Sequence, residues 1–262
     1  MIASLGMYDR TETAPALDRF WAAIRDGLRA RGGHAPEALT RGDAACWPAW
    51  QSPDLFFSQT CGLPFRSGLL QHVSIVGTPD SGVEGCGPGY YRSDFIARAD
   101  DQRQTPGDFT GAAFAFNEGL SQSGWAAAVA WFVARGLDLR PCVESGSHRQ
   151  SALSVLNGLA DFAAIDAVTW SLLCKHEDWT QRLRVVGHTD PTPSLPYITA
   201  RGDPDALFDA VTAAIKRIGP QDRATLRLKG LVRIPASTYL EQTIPAPPVL
   251  MDHPKQACPR QS

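Results

Sequence analysis

The chain has 262 residues, 44% of them hydrophobic, and carries 25 basic and 27 acidic side chains for a formal net charge of -2. That length buries a substantial core without metal or disulfide staples. The near-balanced charge points to neither nucleic acid nor an anionic membrane surface, and no apolar run is long enough for membrane insertion.

The first predicted elements are a strand over Ile2–Met7 and a helix over Ala14–Arg31, where Leu17, Phe20, Trp21, Ile24 and Leu28 recur at helical spacing until Gly32-Gly33 stops it. A short buried strand follows at Leu55–Ser58, leading into the loop Gln59-Thr60-Cys61-Gly62 at the start of another helix. Strands are predicted over Val73–Val76 and Tyr90–Ala97, and Pro106-Gly107 marks a polar connector. Next comes an alternating series: strand 112–116, helix 123–135, strand 139–143, helix 148–158, strand 162–165 and helix 168–176. Such alternation implies parallel βαβ crossovers. Beyond it lie a strand at 183–187, a proline-rich return over 188–196, a strand at 197–200 and a helix over 203–218. Residues 225–244 pattern weakly, and 245–262 read as a polar, proline-rich tail expected to be poorly ordered.

The economical architecture is α/β in two lobes: a discontinuous first lobe of residues 1–92 plus 190–262 and an inserted second lobe of 93–189, with two chain crossings acting as a hinge. In open α/β sheets ligands bind beyond the carboxyl ends of strands, and the loops at Tyr8, at 58–61, at 117–123 and at 145–148 all follow strands, which places them around one cleft.

Two of these loops carry the chemistry. Ser121-Gln122-Ser123-Gly124 and Ser145-Gly146-Ser147-His148 each link a strand to a helix start, where hydroxyls and unpaired backbone N–H groups can replace the partners an oxyanion loses on leaving water. Several donors are needed, because burying an unpaired anion is far more costly than burying a paired one. Either segment alone also suits an ordinary N-cap. Asn117 precedes the first, and His148 could donate to the anion or simply begin a helix. Asp166 either caps a helix or accepts a proton or an amino group from the ligand. Gln59 and Thr60 would offer donors from the first lobe, although Thr60 suits a cap, and Tyr8 suits packing as well as closure over a ligand.

Trp125 and Trp131 read as core, while His72, His176 and His188 read as surface or packing residues. The six cysteines, Cys46, Cys61, Cys86, Cys142, Cys174 and Cys258, lack C-x-x-C or zinc-ligand spacing. Free or buried thiols are expected, a Cys61–Cys86 bridge being conceivable, and neither metal nor cofactor is predicted.

These segments resemble the phosphate, phosphite and phosphonate substrate-binding proteins of ABC transporters, a family that also groups sulfonate binders. The resemblance runs in order over roughly residues 1–200, through Phe57–Gly62, Tyr91–Ile96, Ala115–Glu118, the S-x-S-G element at Ser121–Gly124, Ser145–His148 and the G-x-x-D-x-A-x-x-D element at Gly158–Asp166. It implies a two-lobed type II periplasmic-binding-protein-like fold and a non-enzymatic, monomeric protein. That protein would capture a small oxyanion by hinge closure and deliver it to an ABC permease. It assigns the grip to Ser121, Gln122, Ser123 and Gly124, with Ser147, His148 and Asp166 completing that half and Tyr8 or Tyr91 closing from the other lobe. Gln122 stands where phosphonate binders tend to carry a small hydroxyl residue, and Asp166 is shorter than the Glu found there.

Two other functions fit the same scaffold: an enzyme using Cys61 or His148, and a cytoplasmic ligand sensor. The resemblance implies a periplasmic protein, whereas residues 1–7 lack a basic-then-apolar leader pattern, which leaves a cytoplasmic protein or an exported one written without its leader.

Overall fold

A computed structural model describes residues 1–251. By density of contacts the chain divides into two units: Met1–Tyr91 with Pro193–Gln242, and Arg92–Thr192 with residues 243–251. The last assignment differs from the expectation that the whole C-terminal segment stays with the first lobe.

The first unit is built on strands β1 (Ile2–Ser4), β2 (Leu55–Gln59) and β3 (Ser74–Asp80), with β9 (Tyr197–Thr199) and β10 (Gly230–Val232) added from the returning chain. The second holds β4 (Ser93–Arg98), β5 (Ala113–Phe116), β6 (Arg140–Glu144), β7 (Phe162–Asp166) and β8 (Leu183–His188). Spatial order is β1-β2-β9-β3-β10 in one sheet and β6-β5-β7-β4-β8 in the other. β1 runs parallel to β2, and β5 parallel to both β6 and β7, as helical crossovers require. The parallel crossovers expected of the alternating series are thus present, while β4 and β9, outside that series, run antiparallel to both neighbours, the chain entering them from a crossing between units and not from a crossover helix.

Helices cover both faces of each sheet. In the first unit α1 (Ala14–Arg29) opens with Pro15 in its first turn and presents Leu17, Phe20, Trp21, Ile24 and Leu28 to Phe57, Tyr197, Leu207 and Val211. The opposite face buries Trp50, Leu55, Phe65, Ile198 and Tyr239.

In the second unit α2 (Ala127–Val133), α3 (His148–Leu156) and α4 (Ala167–His176) follow β5, β6 and β7 in turn. Strand alternation sorts its core: Phe95, Phe114 and Phe162 face one side, Ile96, Ala115 and Ile165 the other. The Phe162 ring lies 4.9 Å from Phe114 and 5.0 Å from Phe109 between centroids. Each such buried ring contributes about 2 kcal/mol of apolar transfer. Trp125 joins this cluster and Trp131 packs against it, as expected of core residues.

The helix expected over 203–218 is α5 (Pro204–Arg217), followed by α6 (Pro220–Leu226), and in the weakly patterned stretch β10 precedes a short helix, α7 (Ala236–Leu240). The five described cysteines are free thiols, and Cys258 lies outside the described residues. No described helix is long and apolar enough to cross a membrane.

The expected disorder of the tail does not hold for residues 245–251. The Trp125 indole donates to the Ala246 carbonyl at 3.1 Å, and Met251 N–H donates to the Pro141 carbonyl on the edge strand β6 at 2.8 Å. Residues 252–262 lie outside the described residues.

Candidate functional site

Because β5, β6 and β7 are parallel neighbours, their carboxyl ends share one edge of the second sheet and bring Asn117, the loop 145–148 and Asp166 together. Ser145 and Gly146 N–H groups donate to the Phe116 and Asn117 carbonyls at 2.9 and 2.8 Å, zipping the second loop to the first. Gly146 takes φ 82, a left-handed turn that favours glycine. The Ser145 hydroxyl then donates back to Phe116 and lies 2.7 Å from Ser151 Oγ.

The Ser121–Gly124 element is not the regular helix start that its sequence predicts. Gln122–Ala126 forms a π-turn, with Ala126 N–H reaching back five residues to Ser121 O at 3.0 Å. Such turns are rare and concentrate at functional sites. Ser121 Oγ caps the turn by accepting from Gly124 N–H at 2.9 Å. That N–H, expected to face a ligand, is therefore occupied; the Ser123 N–H, in the first turn, has no acceptor within the helix. Above Gly124 lies the Asn117 side chain, whose buried Oδ1 has no hydrogen-bond partner among the described residues.

Ser123 is 3% exposed, and its hydroxyl stands 2.8 Å from His148 Nε2. His148 Nδ1 is buried with no hydrogen-bond partner among the described residues, and burial, opposed by the Ala164 backbone, pushes the imidazole down to about 4 although part of the residue meets solvent. At neutral pH the ring is uncharged. The tautomer sets which way this bond runs: with the proton on Nδ1, Nε2 accepts from the Ser123 hydroxyl.

Ser147 is exposed, and its Oγ caps α3 through Gln150 N–H at 3.2 Å. Asp166 is 2% exposed and caps α4 by accepting from Thr169 N–H at 2.9 Å. Ser93, which sequence reasoning missed, pairs with Asp166 across the β4/β7 ladder and donates its hydroxyl to Ser123 O at 2.8 Å. His188, expected to lack a specific context, lies 2.8 Å from Asp94 Oδ1, and burial holds that carboxyl above its ordinary range against the pull of His188.

In the first unit, Tyr8 ends a short turn and is half-buried, and Tyr91 is 1% exposed. The Gln59 amide donates to the Leu195 carbonyl at 3.2 Å, and Thr60 N–H to Pro196 at 3.1 Å, so both hold the returning chain. Just beyond their loop, on a second π-turn over Phe65–Leu69, sits Arg66, 7% exposed. Burial draws its guanidinium below the ordinary value, opposed by the nearby Cys61 thiol and Tyr91 hydroxyl. A lone basic residue inside the apolar run Leu63–Leu70 was the available signal for it.

With the geometry in place, the family described as ABC transporter, phosphonate, periplasmic substrate-binding protein matches residues 72–239, more than half of the chain. The chain belongs to the phosphonate periplasmic substrate-binding proteins of ABC transporters. None of the curated proteins matches it. Among solved structures this phosphonate-type binding protein is similar to PhnD1 from Prochlorococcus marinus in complex with methylphosphonate, at 15% identity, over 91% of this chain and 94% of that one, with a TM-score of 0.69. It is similar as well to XAC2383 from Xanthomonas citri bound to chloride ion, at 17% identity, over 91% and 92%, TM-score 0.65. A binding protein component of an ABC phosphonate transporter from Pseudomonas aeruginosa matches at 16% identity, over 88% and 80%, TM-score 0.63. At these identities the likeness is one of fold: two α/β units of the type II periplasmic-binding-protein kind, as the sequence predicts.

The buried neutral His148 fixes the sign of one pH effect in this binding protein. Its folded pKa lies below the unfolded value of 6.5, so between pH 6.5 and about 4 the unfolded chain binds more protons and stability rises with pH. The contribution is complete above that window and is lost as pH falls through it. Urea titrations at pH 7 and pH 5 are expected to differ by about 2 kcal/mol from this group, and the difference should shrink by that amount in His148→Gln.

Proposed function

We propose that this protein captures a small oxyanion of the phosphonate, phosphate or phosphite class by hinge closure and delivers it, as a periplasmic monomer, to an ABC permease. The observation that carries the reading is the placement of Ser121, Ser123 and His148 at the ends of adjacent parallel strands in one unit, with Ser123 Oγ 2.8 Å from His148 Nε2. The similar PhnD1 structure holds methylphosphonate. Ser123 N–H and O–H and the N-terminus of the following helix supply donors and a favourable dipole.

We read the protein as non-enzymatic. A histidine drawn down to about 4 is a weak base for activating Ser123, and Cys61 is 5% exposed. Isothermal titration against phosphate, phosphite, methylphosphonate, 2-aminoethylphosphonate and alkylsulfonates tests the reading. Binding of one or more phosphorus oxyanions, with a smaller radius of gyration in solution scattering, is expected. Absence of heat with every one of them would overturn it.

A further inference from the structure

The proline-rich segment 243–251 follows α7 of the first unit, yet its contacts lie in the second. It meets the anion-binding turn on both flanks. On one side the Pro248 ring sits so close over Gly119 that a Cβ there would lie 2.8 Å from Pro248 Cδ. On the other, the indole N–H of Trp125, the residue after Gly124, donates to the Ala246 carbonyl at 3.1 Å while its ring packs 5.1 Å from Phe116. Beyond these two grips Met251 fastens the segment to the edge of β6.

The segment is not held by core burial, because Val249, Leu250 and Met251 are 75%, 54% and 46% exposed. Pro245, Pro247 and Pro248 keep it extended at low entropic cost and remove backbone donors that would otherwise need partners. The turn that these grips hold is a π-turn, Gln122–Ala126, a rare geometry in proteins.

We propose that segment 243–251 is a strap that positions the Ser121–Gly124 turn, so that oxyanion affinity depends on Pro248 and on the Trp125 indole N–H, neither of which touches the ligand. This inference rests on the anion-binding reading for its affinity consequence but not for its structural one. Trp125→Phe keeps the ring and removes the N–H; Pro248→Gly removes the ring contact and loosens the chain. Both are made in the full-length protein, singly and together.

Hydrogen exchange read by mass spectrometry is expected to rise several-fold across 117–126 in the double variant while 148–156 stays unchanged, with the melting temperature close to that of the parent. Titration with methylphosphonate should show about a tenfold weaker Kd, the single variants falling between. Unchanged exchange across 117–126 with an unchanged Kd would overturn the strap. If the parent binds no oxyanion but exchange still rises locally, the strap stands and the binding reading fails.

Discussion

Gly124→Ala is expected to lose oxyanion binding by on the order of 100-fold and to lower stability by about 1–3 kcal/mol, as overpacked sites do. A Cβ at this position runs into Asn117 Oδ1 and stands 3.2 Å from Ser121 Oγ. Ser121 is 2% exposed and its oxygen is held by the Gly124 N–H, so it has little room to move. Asn117 would have to swing out, and its carbonyl anchors the second loop through Gly146. The clash therefore reaches His148 by way of the loop that carries it. Isothermal titration and urea unfolding read the two effects. Asn117→Ala in the same chain removes the colliding oxygen, and the double variant should recover most of the lost stability, a coupling expected only of groups in contact. Additive losses would show that the substitution acts elsewhere.

Much of the fold is legible in the sequence because hydrophobic periodicity reports which faces are buried. The apolar spacing of Leu17, Phe20, Trp21, Ile24 and Leu28 fixes α1, and the alternation of Phe114 and Phe116 with Ala113 and Ala115 fixes β5. The ends of elements are less legible. Ile2–Met7 reads as one strand but breaks at Leu5 into the turn that carries Tyr8. Strand direction is hidden too, since β4 and β9 have ordinary strand patterns and run antiparallel only because of where the chain enters them.

At the site, Ser-Gln-Ser-Gly announces a helix start but neither the π-turn nor the Asn117 side chain that occupies the space above Gly124. Nor does the motif tell which donors are occupied: Gly124 N–H by Ser121, Gln59 by Leu195, Ser147 by α3. The Gln59 contact spans 136 residues of chain, beyond any sequence window, whereas the Ser121 and Ser147 bonds are local caps of the kind either segment also suits. The strap is the extreme case. Proline-rich polar composition signals an absence of helix and strand, and says nothing about whether a single indole N–H and a proline ring will pin the segment down.

Ser123→Ala is expected to weaken oxyanion binding by at least 100-fold and, more tellingly, to abolish its pH dependence. With the neutral His148 ring protonated on Nδ1, the Ser123 hydroxyl donates to Nε2, and its proton faces the ring. On binding, an anion is expected to draw a proton onto His148, so that Nε2–H donates to Ser123 Oγ and the freed hydroxyl can donate to the anion. Binding should thus take up as much as one proton and strengthen as pH falls from 7.5 toward 6, with His148 raised from about 4 by the added negative charge. Titration at one pH in buffers of different ionisation enthalpy measures that uptake directly. Alanine at 123 leaves His148 Nε2 without its partner, which costs about 1–3 kcal/mol of stability, and it breaks the relay, so proton uptake should fall toward zero. Uptake that persists unchanged in Ser123→Ala would place the proton on the ligand or another group and remove His148 from the binding event.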